Sequence, residues 1–190
     1  MIELKMEMGA EWMANLKHFL RPMLDVAFVA LNPPVESNEN AHYFSGRSSR
    51  FFDLLYLSGL ITQEVSKSTA DEIVFGSTSI NHKHCEFGVV DLLEDVVQTD
   101  SCNVRPTKQH VNLLLERLRQ FDPRFVCVMH HKVRDALNRH PDFKAKLHYG
   151  FCGALLLRSP SIFIVNYFPN GNNLADHKKL EIFRALRDAL

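Results

Sequence analysis

The chain has 190 residues, 46% hydrophobic and 23% charged, which suits one domain with a real core. Basic and acidic residues balance at 22 each, so no global charge marks a nucleic-acid partner, and only a local basic rim would serve one. No apolar run is long enough to span a bilayer and the N-terminus lacks a signal-peptide pattern, so a cytoplasmic protein without membrane contact is expected.

Residues 3–20 carry Leu4, Trp12, Leu16, Phe19 and Leu20 among polar residues, a mixed pattern read as a helical opening. Residues 25–31 then form an apolar strand that ends in Asn32, and Pro33 and Pro34 forbid its continuation as a ladder strand. The Asn32 amide is thereby left at the mouth of a sheet, where open α/β proteins place their ligand sites. Phe44 follows, just before a Gly/Ser/Arg turn and a helix over residues 50–60, in which Phe51, Leu54, Leu55 and Leu57 recur at helical spacing and Gly59 is the terminator. An amide for hydrogen bonding beside a ring for stacking is what a pocket for a flat heterocycle needs.

Residues 61–83 are polar and without sustained period, which predicts a helix or loop excursion. A second strand over residues 87–93 runs into a loop. Pro106 then opens a helix through Val111, Leu114, Leu115 and Leu118, with Thr107 near its N-terminus. A third strand over 125–129, a short helix over 130–138, a short strand over 155–157 and a fourth main strand over 162–165 follow. Residues 166–173 are a loop dense in turn residues. The last helix starts at about Ala175 and carries Leu180, Phe183, Leu186 and Leu190 on one face.

Apolar strands alternating with amphipathic helices imply parallel strands with crossover helices. The expected fold is α/β: one domain over residues 1–190, three-layer α/β/α, with a central, mainly parallel four-stranded sheet. Cys85, Cys102, Cys127 and Cys152 are widely spaced without a C-x-x-C pair, which argues against zinc ribbons, iron–sulfur clusters and disulfides. His82, His84 and Cys85, with His130 and His131, look like metal ligands, but short His-rich loops are common; no metal is expected.

Four landmarks in order resemble the uracil-DNA glycosylase superfamily, most closely its mismatch-specific uracil/thymine branch. They are Ala30-Leu31-Asn32-Pro33-Pro34; Phe44 with Arg50, Phe51 and Phe52; Gly88-Val89-Val90-Asp91-Leu92-Leu93; and the loop Phe168-Pro169-Asn170-Gly171-Asn172-Asn173. The resemblance spans roughly residues 25–190. It implies a monofunctional, cofactor-free DNA glycosylase of base-excision repair that acts, as a monomer, on DNA containing a deaminated or mismatched base. Asn32 would orient the attacking water. The base would be held by Leu31, Pro33, Phe44, Asn166 and Phe168. Arg47, Arg50, Asn170, Gly171, Asn172, Asn173 and Lys178 would contact DNA, the 168–173 loop as a minor-groove wedge.

The chain also departs from the pattern. Pro34 stands where the family has glycine, Phe168 where it has His, Asn or Met, and Asn172 at the wedge; Asp91, Glu94 and Asp95 are acidic where other members often have Thr-Asn and a basic residue. These departures motivate a second reading, a catalytically degenerate member that binds lesion DNA, a base or a nucleotide without turnover. Several residues keep two readings at this level. Asn32 is a site amide or a turn cap, Phe44 a stacking platform or core, and Arg50 a phosphate contact or a partner for a helix carboxylate. Asp91 is a water-activating base, a support for Asn32, or an ordinary strand-end carboxylate. Lys178 and Lys179 are a solvated face or a phosphate contact.

Overall fold

The computed structural model describes residues 15–170 and 174–190. Five strands form one sheet: β1 (Val26–Ala30), β2 (Phe87–Asp91), β3 (Phe125–Val128), β4 (Gly150–Gly153) and β5 (Ile162–Val165), in the order β2-β1-β3-β5-β4. All neighbours pair in parallel except β4, which runs antiparallel on the β5 edge. The sheet thus has one strand more than the expected four. The extra strand is Gly-Phe-Cys-Gly, whose two glycines sit at positive φ and whose register shifts between Phe151 and Gly153. Glycines that read as turn signals hid a short edge strand. Residues 155–157 do not form the predicted strand; Leu156 makes only an isolated bridge to Phe143.

The helices are α1 (Val35–Asn40), α2 (Phe51–Ser58), α3 (Ala70–Phe75), α4 (Lys108–Phe121), α5 (His131–Leu137) and α6 (Asp176–Ala189). Every residue of β1 is buried, as in a parallel strand covered on both faces. Its side chains alternate: Phe28 and Ala30 join Phe51, Phe75 and Phe183 of α2, α3 and α6, while Ala27 and Val29 join Leu115, Val126 and Val133 on the α4–α5 side. The result is the expected three layers. The proposed helical opening over 3–20 is not a helix in its described part, residues 15–20, and the remainder lies outside the described residues. Among the described residues no helix is long and apolar enough to cross a membrane.

Local signals set the boundaries. Gly59 closes α2 in the left-handed region at φ 78°, donating its N–H to Tyr56 O. Thr107 caps α4 with a reciprocal box to His110. Gly88 in β2 is fixed by contact instead: a Cβ there would lie 2.5 Å from both Phe19 O and Leu24 Cδ1. Gly88→Ala is therefore expected to destabilise the protein by about 1–3 kcal/mol through overpacking, read as a lower urea midpoint at unchanged slope.

The chain leaves β1 for one face (α1 to α3) to reach β2, then crosses to the other face through α4 to reach β3. The switch point of this α/β sheet is therefore between β1 and β3, at their carboxyl ends.

Candidate active site

A cavity of about 540 Å³ opens at that switch point. Polar residues ending three neighbouring strands line it: Asn32 after β1, Asp91 closing β2 and His130 after β3.

Asn32 is 9% exposed, and its Nδ2 donates to Pro33 O (3.1 Å), Val96 O (3.1 Å) and Gln98 O (2.7 Å). Three carbonyls around one amide nitrogen fix which end is NH2, because an amide oxygen there would meet only acceptors. With the NH2 committed, Oδ1 is the amide atom that Asn32 can offer to a ligand. The surrounding loop is itself stitched down. Gln98 N donates to Pro33 O (2.9 Å), Val35 N to Thr99 Oγ1 (3.2 Å), and Lys132 Nζ to the carbonyls of Ser101, Cys102 and Val104.

Phe44 lines the same cavity, half-buried, with one ring face stacked on Phe51 at 4.1 Å and 27°. Its backbone is held at φ 54°, a conformation that side chains with a Cβ seldom adopt. Buried Asp71 holds the turn that leads there, with Oδ2 accepting from Tyr43 N and Oδ1 pairing with His42 Nδ1, each at 2.8 Å.

Asp91 shares the sheet face of Ala30, since the two are register partners, and so points toward the Tyr43 and Phe44 side. It is 4% exposed, and its Oδ2 has no hydrogen-bond partner. Burial first, then the Glu94 carboxylate, push its pKa up to about 8, against a smaller opposing contribution from the Tyr43 hydroxyl. The Tyr43 phenol is raised well above its ordinary range, by burial and then by Asp91 and Glu94, so it remains a donor. Arg117 cannot neutralise Asp91 directly because it pairs with Glu94 at 2.5 Å. A carboxyl held at about 8 keeps its proton over most of the range in which an ordinary aspartate has lost it, which weighs against the water-activating base among the three readings the sequence left open. Nor does it support Asn32, whose amide hydrogens go to three carbonyls.

His130 is 4% exposed, and its Nδ1 accepts from Lys132 N at 3.1 Å as the cap of α5. That bond places the ring proton on Nε2. Burial and then the neighbouring His131 hold the pKa down at about 4, so the ring is neutral. It stacks on His131 and meets Phe168 edge-on at 5.3 Å. Sequence reasoning treated His130 only as a metal ligand. The rule that singled out Asn32, a polar residue ending an apolar strand, applies equally to Phe125–Met129 and points to His130. His82 and His84 precede β2 and lie at the opposite end of the sheet. No group of three or more metal-binding side chains gathers among the described residues.

A family model, the uracil DNA glycosylase superfamily, matches residues 18–187. The chain belongs to this superfamily. No curated protein matches the sequence significantly. Of the residues that the family resemblance nominated, Leu31, Asn32, Phe44, Asp91, Phe168 and Asn170 border the cavity of this glycosylase-superfamily chain. Pro33 and Asn166 do not. The Pro33 carbonyl is spent on Asn32 and Gln98, and Pro34 is in the wall instead. Asn166 is fully buried, with Nδ2 on Lys179 O and Oδ1 on Tyr167 N, so its amide braces the loop after β5 and does not reach a base.

The nominated DNA contacts divide similarly. The Arg50 guanidinium bridges Asp53 (3.3 Å) and Asp176 (3.0 Å), and Arg50 N donates to Asn170 Oδ1 at 2.7 Å, which makes both residues parts of a loop-to-helix tie. Lys179 is 3% exposed and is no solvated face: its Nζ donates to Pro169 O at 3.0 Å and meets Asp176 at 3.3 Å. Arg47 and Lys178 are exposed, and Lys67, unremarked in the sequence, joins Arg47 through its carbonyl at 3.1 Å. Gly171, Asn172 and Asn173 lie outside the described residues.

Proposed function

We propose that this protein is a monofunctional DNA glycosylase that hydrolyses the N-glycosidic bond of an everted deaminated or mismatched base, in the manner of the mismatch-specific branch. The observation that carries this reading is the Asn32 amide, clamped through its NH2 and bordering the same cavity as the Phe44 ring. Oδ1 accepts a hydrogen bond from a water and aims its lone pair at C1′ of the sugar, which acquires positive charge as the base departs. Phe44 stacks on the base, and His130 Nε2–H donates to it. Eversion costs a few kcal/mol, least at a mispair. No lysine lines the cavity among the described residues, which supports direct hydrolysis over a Schiff-base step.

The test is incubation with duplexes carrying single uracil, hypoxanthine, xanthine or thymine lesions, followed by alkaline cleavage at abasic sites. Product from at least one lesion is expected. Affinity for lesion duplexes with no product from any of them would instead select the degenerate binding reading, which Pro34 in the cavity wall favours.

A further inference from the structure

We propose that Lys132 is a positioning residue for Asn32: its ammonium group pins the 96–104 loop, and the loop holds the Asn32 amide in the orientation that leaves Oδ1 for the cavity. The proposal rests on the glycosylase reading for the part Asn32 plays in turnover; the coupling between the two side chains stands on contacts alone.

The loop after β2 is gripped at both ends by donor groups. At one end Asn32 Nδ2 meets the carbonyls of Val96 and Gln98, together with that of Pro33. At the other, Lys132 Nζ, from the first turn of α5, donates to the carbonyls of Ser101, Cys102 (3.3 Å) and Val104 (2.9 Å). An ammonium has three N–H groups and no acceptor, so these carbonyls use it fully, and each bond is charge-assisted.

The residues between the two grips form one hydrogen-bonded unit. Asp100 Oδ1 accepts from Cys102 N (2.9 Å) and caps the short 3-10 turn Ser101–Asn103, and Oδ2 accepts from Asn103 Nδ2 (3.2 Å). Asp100 N donates to Gln98 Oε1 (3.1 Å), and Val104 N to Ser101 O (3.1 Å). A displacement of the 101–104 turn is therefore passed to Gln98, whose carbonyl lies 2.7 Å from Asn32 Nδ2.

The place of Lys132 in its own helix points the same way. Peptide dipoles put partial positive charge at a helix N-terminus, so the first turn favours acidic side chains. The first turn of α5 has none and carries this lysine instead, which serves the loop at the helix's expense. Lys132 N also donates to His130 Nδ1 at 3.1 Å, so one residue orients the His130 ring and the Gln98–Cys102 segment, both of which line the cavity. Without the ammonium, the turn carbonyls turn toward water, the Gln98 carbonyl moves with them, and the Asn32 amide rotates about its terminal bond. Oδ1 then serves the cavity for only part of the time.

Two measurements on the full chain test this. Each uses Lys132→Met, which keeps the stem and removes the donors, and Lys132→Arg, which keeps the charge but fixes its N–H groups in a plane. The first is hydrogen exchange of the Asn32 side-chain amide, identified as the pair of NMR signals lost in Asn32→Ala. It is expected to be at least about tenfold faster in Lys132→Met and to rise less in Lys132→Arg, while backbone amides of β1 keep their rates. The second is single-turnover excision of the lesion that the wild type removes fastest. Lys132→Met is expected to slow it about tenfold in the wild-type background and less than about twofold in Asn32→Ala, where nothing remains to be positioned. A merely structural role would slow both equally. Should Lys132→Met not fold, Lys132→Arg carries the same comparisons with smaller factors. Equal slowing in both backgrounds, or Asn32 exchange unchanged by either substitution, overturns the proposal and leaves the glycosylase reading standing. Absence of abasic product from the wild type ends the glycosylase reading instead, and the exchange rates then decide by themselves whether Lys132 holds Asn32.

Discussion

Asn32→Ala is expected to lower the single-turnover excision rate by on the order of 10²–10³ while lesion-duplex binding, read by fluorescence anisotropy, changes only a few-fold. The interaction lost acts chiefly in the transition state: an oriented water matters when C1′ becomes electrophilic, and much less when the base is merely bound. The geometry adds a second comparison. Nδ2 is surrounded by the carbonyls of Pro33, Val96 and Gln98, so Asn32→Asp would set an oxygen against three acceptors, although it keeps the size of the side chain. The near-isosteric change is therefore expected to be as inactive as Asn32→Ala and less stable than it, by about 1–3 kcal/mol for the unsatisfied buried groups. Full activity of Asn32→Ala would reject the mechanism while leaving the enzymatic activity intact.

The central strands and the first half of the site were legible because their signals are local. Val26 to Leu31 is an unbroken apolar run closed by a polar residue and two prolines, and burial of all of β1 explains why the run lacks alternation. Phe44 was legible as a ring near a turn, but its positive φ and the Asp71 carboxylate that holds the turn were not, because Asp71 lies in the stretch that carried no period. β4 escaped because glycines at both ends erase strand propensity, and α1 because six mostly polar residues show no apolar face.

Residues whose two readings stayed open in the sequence share a different cause. Arg50 resembles a phosphate contact until α6 brings Asp176 to it from 126 positions away, and Lys179 resembles a surface cation until the loop after β5 lies over it. A side chain's charge is visible in sequence; its partner, when distant along the chain, is not. The same holds for Asp91. Its residue type was plain, but its protonation depends on Tyr43, Glu94 and the depth of burial, which only the assembled layers determine.

That burial makes a prediction about stability that is separable from activity. Asp91→Asn is expected to be more stable than the wild type by a few kcal/mol at pH 8 and above, and close to it at pH 4. The sign follows from proton counts. The folded carboxyl titrates at about 8 and the unfolded one near the ordinary 3.9. Below about pH 4 both states are protonated and Asp91 contributes no pH dependence. Between about 4 and 8 the unfolded chain has released the proton and the folded chain has not, so wild-type stability falls by up to about 1.4 kcal/mol per pH unit. Above 8 the loss is complete and the curve flattens. Asparagine cannot ionise and lacks this fall. The His130 ring, titrating at about 4 when folded, weakens both proteins as acid is added below pH 6.5, and its effect cancels in the difference. Urea denaturation of the two proteins at pH 4.5, 6, 7 and 8.5 measures the gap. A gap that widens with pH identifies Asp91 as a carboxyl held neutral by its surroundings at the expense of stability. A gap that stays constant would mean that Asp91 ionises like any surface aspartate, and the raised pKa would fall with that result.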